Sequence, residues 1–275
     1  MRNMIGFALS LVGILGATLI PTYIALYLVS NLRFVDIRYI AAFGLGLSMW
    51  FFFDTFNDSA QLDVNAGFGG GFFHIAIIVA FLLGISVLAI FDHFAVPQSA
   101  TRQGTKPYWK GLFLIPVAIA FIMGIHGLAE GWAFASVAAS SGTNSLVVAF
   151  GGVLALVSYP LHKFLEASIV GTVYTCYVAR NNPEIRAKWH IPLLGLLFAI
   201  PSAIGASIGY YVTFDVTYFY AFGVTAAFYA ILRLVEQIST RFKIGETAPS
   251  YYGPKIFLLL AVGFFCLYVA GLFHG

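Results

Sequence analysis

The chain has 275 residues, of which 60% are hydrophobic and only 9% charged, with a mean hydropathy of +0.91 and a formal net charge of +3. That composition excludes a soluble globule with a wet polar surface. The small positive excess is informative through its distribution among loops rather than as a sign of an acidic partner, and no nucleic-acid partner is expected. The reading is an all-α polytopic membrane protein, one transmembrane domain over residues 1–275, multi-pass in a cell membrane.

Crossing the hydrocarbon core as a helix takes about 20 mostly apolar residues. Eight such spans are predicted, at 4–30, 38–57, 70–92, 111–139, 145–179, 191–213, 216–238 and 254–273. The first is longer than a signal-peptide core and lacks a small-x-small cleavage site, so it is kept as a mature helix rather than a cleaved leader. Cys176 and Cys266 both fall inside spans and read as packing residues. Lys and Arg follow the odd-numbered spans: Arg33 and Arg38, then Arg102, Lys106 and Lys110, then Arg180, Arg186 and Lys188, and finally Arg241, Lys243 and Lys255. The loops after spans two, four and six contain none. Basic loops stay cytoplasmic, so both termini are expected on the extracytoplasmic side, with Arg2 the exception. Trp109 and Trp189, at the ends of basic loops, fit an interfacial aromatic belt.

Span two ends in Asp54 and Asp58, four residues apart and hence on one helix face. With Asp63 and Asp215 they place negative charge on the predicted outer side. Two readings stay open for them: an entrance that concentrates cations, or solvated helix ends whose field salt screens. Met49, near the middle of the same span, is either a packing residue or a soft thioether donor. The segment AGFGGGFF at 66–73 reads as a flexible turn.

The punctuation of the chain repeats. AFG occurs at 42–44 in span two and at 221–223 in span seven, and span one resembles span six in its Gly and Pro placement, with the predicted directions opposed in both cases. Three helices, a central pair and three more helices would then form a 3+2+3 inverted repeat about an axis in the membrane plane.

The central pair carries the chemistry. Span four holds HGLAEG at 126–131 and span five holds HKFLEA at 162–167. Each has a His followed four residues later by a Glu, so His126 and Glu130 share one helix face, as do His162 and Glu166. Antiparallel packing sets His126 level with Glu166, and Glu130 level with His162. An ionised carboxylate at bilayer depth costs about 3 kcal/mol or more. Two imidazoles and two carboxylates can close around one dication such as Zn²⁺, Fe²⁺ or Mn²⁺ and remove that cost. The same four residues can also form a static hydrogen-bonded knot between two helices. Arg233 and Glu236 near the inner end of span seven are spaced to pair with each other.

These motifs resemble those of the ZIP (Zrt/Irt-like) family of divalent metal transporters, whose fourth and fifth helices carry HNxPEG and HxxPEG. IPSAIGASIGYY resembles the family's sixth helix, AFGVTAAFYAILRLVEQI its seventh and AVGFFCLYVAGLFHG its last. The resemblance implies import of Zn²⁺, Fe²⁺ or Mn²⁺ as substrate toward the cytoplasm, through a site between helices two, four and five. It carries the metal role onto His126, Glu130, His162 and Glu166, and makes Met49 a candidate contributor from helix two. No organic cofactor is implied. The chain departs from the family pattern in having Ala129 and Leu165 where Pro precedes each motif Glu, Gly127 where Asn follows the first His, and Lys163 after the second. Many relatives hold two metals with help from those two following residues. Lys163 lies three residues before Glu166, within reach of its carboxylate and of the space a second cation would need. With Glu130, Glu166 and Lys163 ionised, the empty site sums to −1, one dication makes it +1 and a second would make it +3. One metal is therefore expected, and the alternative for Lys163 is to snorkel toward water.

Three functions remain to be separated. The leading one is a transporter rather than an enzyme. A ZIP-like protein that no longer transports, acting as a metal sensor or as a subunit of a membrane complex, is the second. An intramembrane metal hydrolase is the third; it would need an open position for water and a separate acid or base. A homodimer or other membrane partners are left open.

Overall fold

The computed structural model describes residues 4–60, 72–95, 112–142, 145–179, 187–214, 216–239 and 253–273. Among them are eight helices long and apolar enough to cross a membrane, and no strand. They are α1 (Met4–Ser30), α2 (Ile37–Ala60), α3 (Phe72–Ala95), α4 (Leu114–Ser141), α5 (Val153–Tyr174), α6 (Ala187–Gly209), α7 (Thr217–Ser239) and α8 (Pro254–Gly271). The protein is thus an all-helical, multi-pass membrane protein. A 3₁₀ turn (Asn31–Phe34) extends α1, and a π-helical turn (Thr175–Ala179) extends α5. Asp63, Asp215, Trp109, the 66–71 glycine segment and the basic residues Arg102, Lys106, Lys110, Arg180, Arg186, Arg241 and Lys243 lie outside the described residues.

Seven of the predicted spans coincide with helices to within a few residues. The fifth is shorter than expected. Residues 145–152, included in the predicted span, form a one-turn helix (Leu146–Ala149) and a break, where Gly151 and Gly152 adopt φ of 86° and 131°. Positive φ is open to glycine at little cost and stops helix propagation, so α5 begins only at Val153.

The bundle is built by close backbone approach. Gly127 and Gly131 on α4 face α6, and Gly205 and Gly209 on α6 face α4; a methyl group at Gly127 would stand 2.6 Å from Ser202 Oγ, and one at Gly209 would stand 2.5 Å from the Trp132 carbonyl oxygen. Such small-xxx-small faces let dispersion and weak polar contacts act where lipid removes the hydrophobic drive. Polar side chains add interhelical bonds to backbone carbonyls. Ser136 donates to Gly209 at 3.0 Å, Ser158 to Ala270 at 2.9 Å and Thr175 to Val29 at 3.1 Å. α4, the most buried span, packs chiefly on α6; α2 lies against α7 and α8, α1 against α5 and α6, and α3 against α7. Neither Cys176 nor Cys266 forms a disulfide; the first is buried and the second half-buried.

One polar cluster closes the end of the bundle where α3, α5 and α7 finish. Arg233 pairs with Asp92 of α3 and with Glu236, the latter at 2.8 Å, which realises the pairing its spacing predicts. The single proton of the Tyr177 hydroxyl is shared between Glu236 Oε2 at 2.9 Å and the Arg233 carbonyl at 3.0 Å, and Tyr229 donates to Asp92 at 2.5 Å.

Candidate metal centre

α4 runs unbroken through its motif, so His126 and Glu130 project from one face, one turn apart. α5 presents Tyr159, His162, Lys163 and Glu166 along the facing stripe. His126 Nε2 stands 3.5 Å from Glu130 Oε1 and 3.8 Å from Glu166 Oε1. One ligand atom from each of these three residues falls within 4.8 Å of the others. Ligand bonds of ~2.1 Å around a tetrahedral ion set neighbouring ligands about 3.4 Å apart, so small side-chain shifts suffice to close this trio on a metal. The buried His126, Glu130 and Glu166 group is compatible with metal binding.

His162 is not part of that trio. Its Nε2 lies 2.7 Å from Glu166 Oε1, so in this arrangement it orients the carboxylate rather than joining the three. Glu130 and His162 line the same cavity, and Glu130 in addition meets the Lys163 ammonium while its Oε2 accepts the Tyr159 hydroxyl at 3.3 Å. Lys163 does not snorkel. It is 1% exposed, and it also donates to Glu166 Oε2 at 2.5 Å, as its spacing predicts. The two carboxylates therefore turn their Oε1 atoms toward His126 and their Oε2 atoms toward the ammonium.

Of the two readings of Met49, its surroundings favour packing. It packs half-buried against the hydrophobic core and does not line the site cavity. α2 instead points the buried Phe51 at the centre, its ring edge-on to His126 with centroids 5.1 Å apart. The phase of α2 is set by α8, on which Trp50 packs against Phe264 and Tyr268 at 5.3 and 4.6 Å. On the far side of His126, Tyr220 of α7 stands 5.1 Å away, and Gly223 leaves room for the ring, since a methyl there would lie 2.8 Å from Nδ1.

A cavity of about 450 Å³ joins this centre to the end of the bundle where α2 and α4 finish. Its lining includes Asp54, Asp58, His126, Glu130, His162 and Tyr220, so both predicted entrance carboxylates share one space with the centre. Phe51, Tyr159 and Tyr220 escape sequence reasoning. The signal for two of them is helical phase: Phe51 is three residues before Asp54 and seven before Asp58, and Tyr159 is seven before Glu166.

No protein-family model matches the chain, and no curated protein matches it either. The functional conclusion therefore comes from the arrangement of these side chains.

Proposed function

We propose that this protein is a ZIP-like transporter that carries one divalent cation, of the Zn²⁺, Fe²⁺ or Mn²⁺ class, toward the cytoplasm through the His126, Glu130 and Glu166 centre. The observation that carries the proposal is the continuity of an acid-lined cavity with a buried trio of metal-capable groups. A hard or borderline dication suits one imidazole and two carboxylates. The pairing of Lys163 with both Oε2 atoms supports a single metal, because the ammonium stands where a second ion would bridge the carboxylates.

Sorting the basic loops gives the orientation, with both termini extracytoplasmic and the cavity opening outward. The inverted repeat finds support in the neighbours of each helix. α4 packs on α6 as α5 packs on α1, α2 on α8 as α7 on α3, and α4 on α3 as α5 on α8. Exchange of the two halves preserves that pattern, as an in-plane two-fold axis requires.

One observation favours a second reading, a protein that binds metal without moving it: Lys163 already neutralises part of the centre and ties α5 to α4. Uptake of Zn²⁺ and Mn²⁺ into liposomes separates the two. Wild type is expected to accumulate metal, Glu130→Ala and His126→Ala to lose uptake, and His162→Ala to lose less because His162 stands outside the trio. An inert wild type refutes transport, and unchanged uptake in Glu130→Ala refutes the site.

A further inference from the structure

We propose that Lys163 is a tethered counter-charge that balances the metal-free and metal-loaded forms of the centre, allowing the empty site to reset across the membrane. The proposal rests on the transport reading above and takes it one step further. Lys163 is among the largest fully buried side chains. Its ammonium is shared between Glu130 and Glu166, and the ring faces of Tyr159 and Phe198 flank it at 5.6 and 5.9 Å. Rings at this range hold a cation without neutralising it. Since the ammonium uses the Oε2 atoms and His126 faces the Oε1 atoms, metal and ammonium fit the centre together.

The consequence lies in the charge. With neutral imidazoles the centre of the wild type carries −1 when empty and +1 when loaded with one dication. Without the ammonium the same states carry −2 and 0. The cost of placing charge in a low-dielectric interior grows with the square of that charge. The wild-type centre is thus matched in its two states, whereas a centre lacking Lys163 has a neutral loaded form and a heavily disfavoured empty one. Such a variant would hold metal tightly and exchange one ion for another, but return empty slowly.

The test compares wild type, Lys163→Leu, which removes the charge and adds no donor atom, and Lys163→Arg, which keeps the charge. Three quantities are read: Mn²⁺ or Zn²⁺ affinity of purified protein by equilibrium dialysis, net uptake into metal-free liposomes, and exchange between metal on both sides. For Lys163→Leu the expected results are affinity at least about tenfold tighter and a ratio of net uptake to exchange lowered by a similar factor, with Lys163→Arg close to wild type in both. Equal ratios in wild type and Lys163→Leu overturn the proposal while leaving transport intact. An inert wild type whose Lys163→Leu variant binds more tightly removes transport and reset, and leaves only the charge effect on affinity. Should Lys163→Leu unfold in chelator, rescue of its fold by added Mn²⁺ supports the proposal. Failure to fold with metal present, while Lys163→Arg folds, assigns Lys163 a purely structural role and overturns it.

Discussion

Replacing Gly209 or Gly205 by Ala tests whether the α4–α6 contact holds the centre together. At Gly209 the new methyl would lie 2.5 Å from the Trp132 carbonyl oxygen and 2.7 Å from its Cα, whereas ordinary contact starts at 3.4 Å, so the helices must part by about 0.9 Å (3.4 less 2.5) or tilt. At Gly205 the methyl would press on the Leu128 carbonyl, with its carbon at 2.9 Å and the Trp132 nitrogen at 3.0 Å. Backbone cannot rotate aside as a side chain can. Overpacking on this scale costs about 1–3 kcal/mol, and the better helix propensity of Ala offsets roughly 0.5–1 kcal/mol, leaving a net loss of up to about 2.5 kcal/mol. Gly16 of α1 is the internal control: nothing lies within 4 Å of a methyl there, so Gly16→Ala keeps only the propensity gain. The propensity gain is common to both classes, so they should differ by the overpacking cost, about 1–3 kcal/mol. Thermal or SDS-induced unfolding in bicelles, followed by helical circular dichroism, measures that gap. Because α4 also carries His126 and Glu130, metal affinity should fall in Gly205→Ala and stay constant in Gly16→Ala. Equal stability of Gly205→Ala, Gly209→Ala and Gly16→Ala would refute the packing account.

Two further outcomes follow from the centre itself. Phe51→Ala opens a cavity beside His126 and should lose about 3–5 kcal/mol of stability and roughly tenfold in metal affinity, because the imidazole loses the wall that fixes it. Met49→Ala, by contrast, should leave affinity unchanged; equilibrium dialysis of both variants decides whether helix two contributes through Phe51 or through Met49. Asp54→Asn and Asp58→Asn should slow metal capture at low ionic strength and converge on wild type at high salt, because salt screens the long-range attraction of an incoming cation beyond about 10 Å at 0.1 M. Uptake rates measured across a salt series check this, and a salt-independent defect would instead make the two carboxylates ligands.

The spans were legible because bilayer thickness imposes a length of apolar chain that loops do not imitate. The exception shows the limit of that signal. Residues 145–152 are as apolar as the helix they precede, and only the backbone angles of Gly151 and Gly152 separate them from it. Within the centre, contacts along one helix were readable from spacing, as the Lys163–Glu166 pair shows. Contacts between helices were readable only in part: His126 does face Glu166, but the meeting of Glu130 with Lys163 and Tyr159 was not foreseen. A shift of one position along α5 rotates the stripe by about 100°, and that rotation is set by packing on several neighbours at once. The choice of Phe51 over Met49 has the same origin, since Trp50 is committed to α8 and carries its neighbours round with it.

Burial along the cavity gives an order to the groups a cation would meet under the transport proposal. Asp58 is exposed, Asp54 half-buried, Glu130 13% exposed, His126 3% and Glu166 1%. Each step removes more water than the last, so each must supply a ligand or a charge in its place, and a dication stripped of water without replacement would face a prohibitive cost. Carboxylates come first, where long-range attraction matters and hydration is still intact; the imidazole comes at the depth where a directional donor can replace a lost water. Glu166 is last, and it is the carboxylate most fully held before any metal arrives, by His162 on Oε1 and Lys163 on Oε2. Glu130, lining the cavity and more accessible, is therefore the group free to make the first inner contact, and its substitution should slow capture more than substitution of His162.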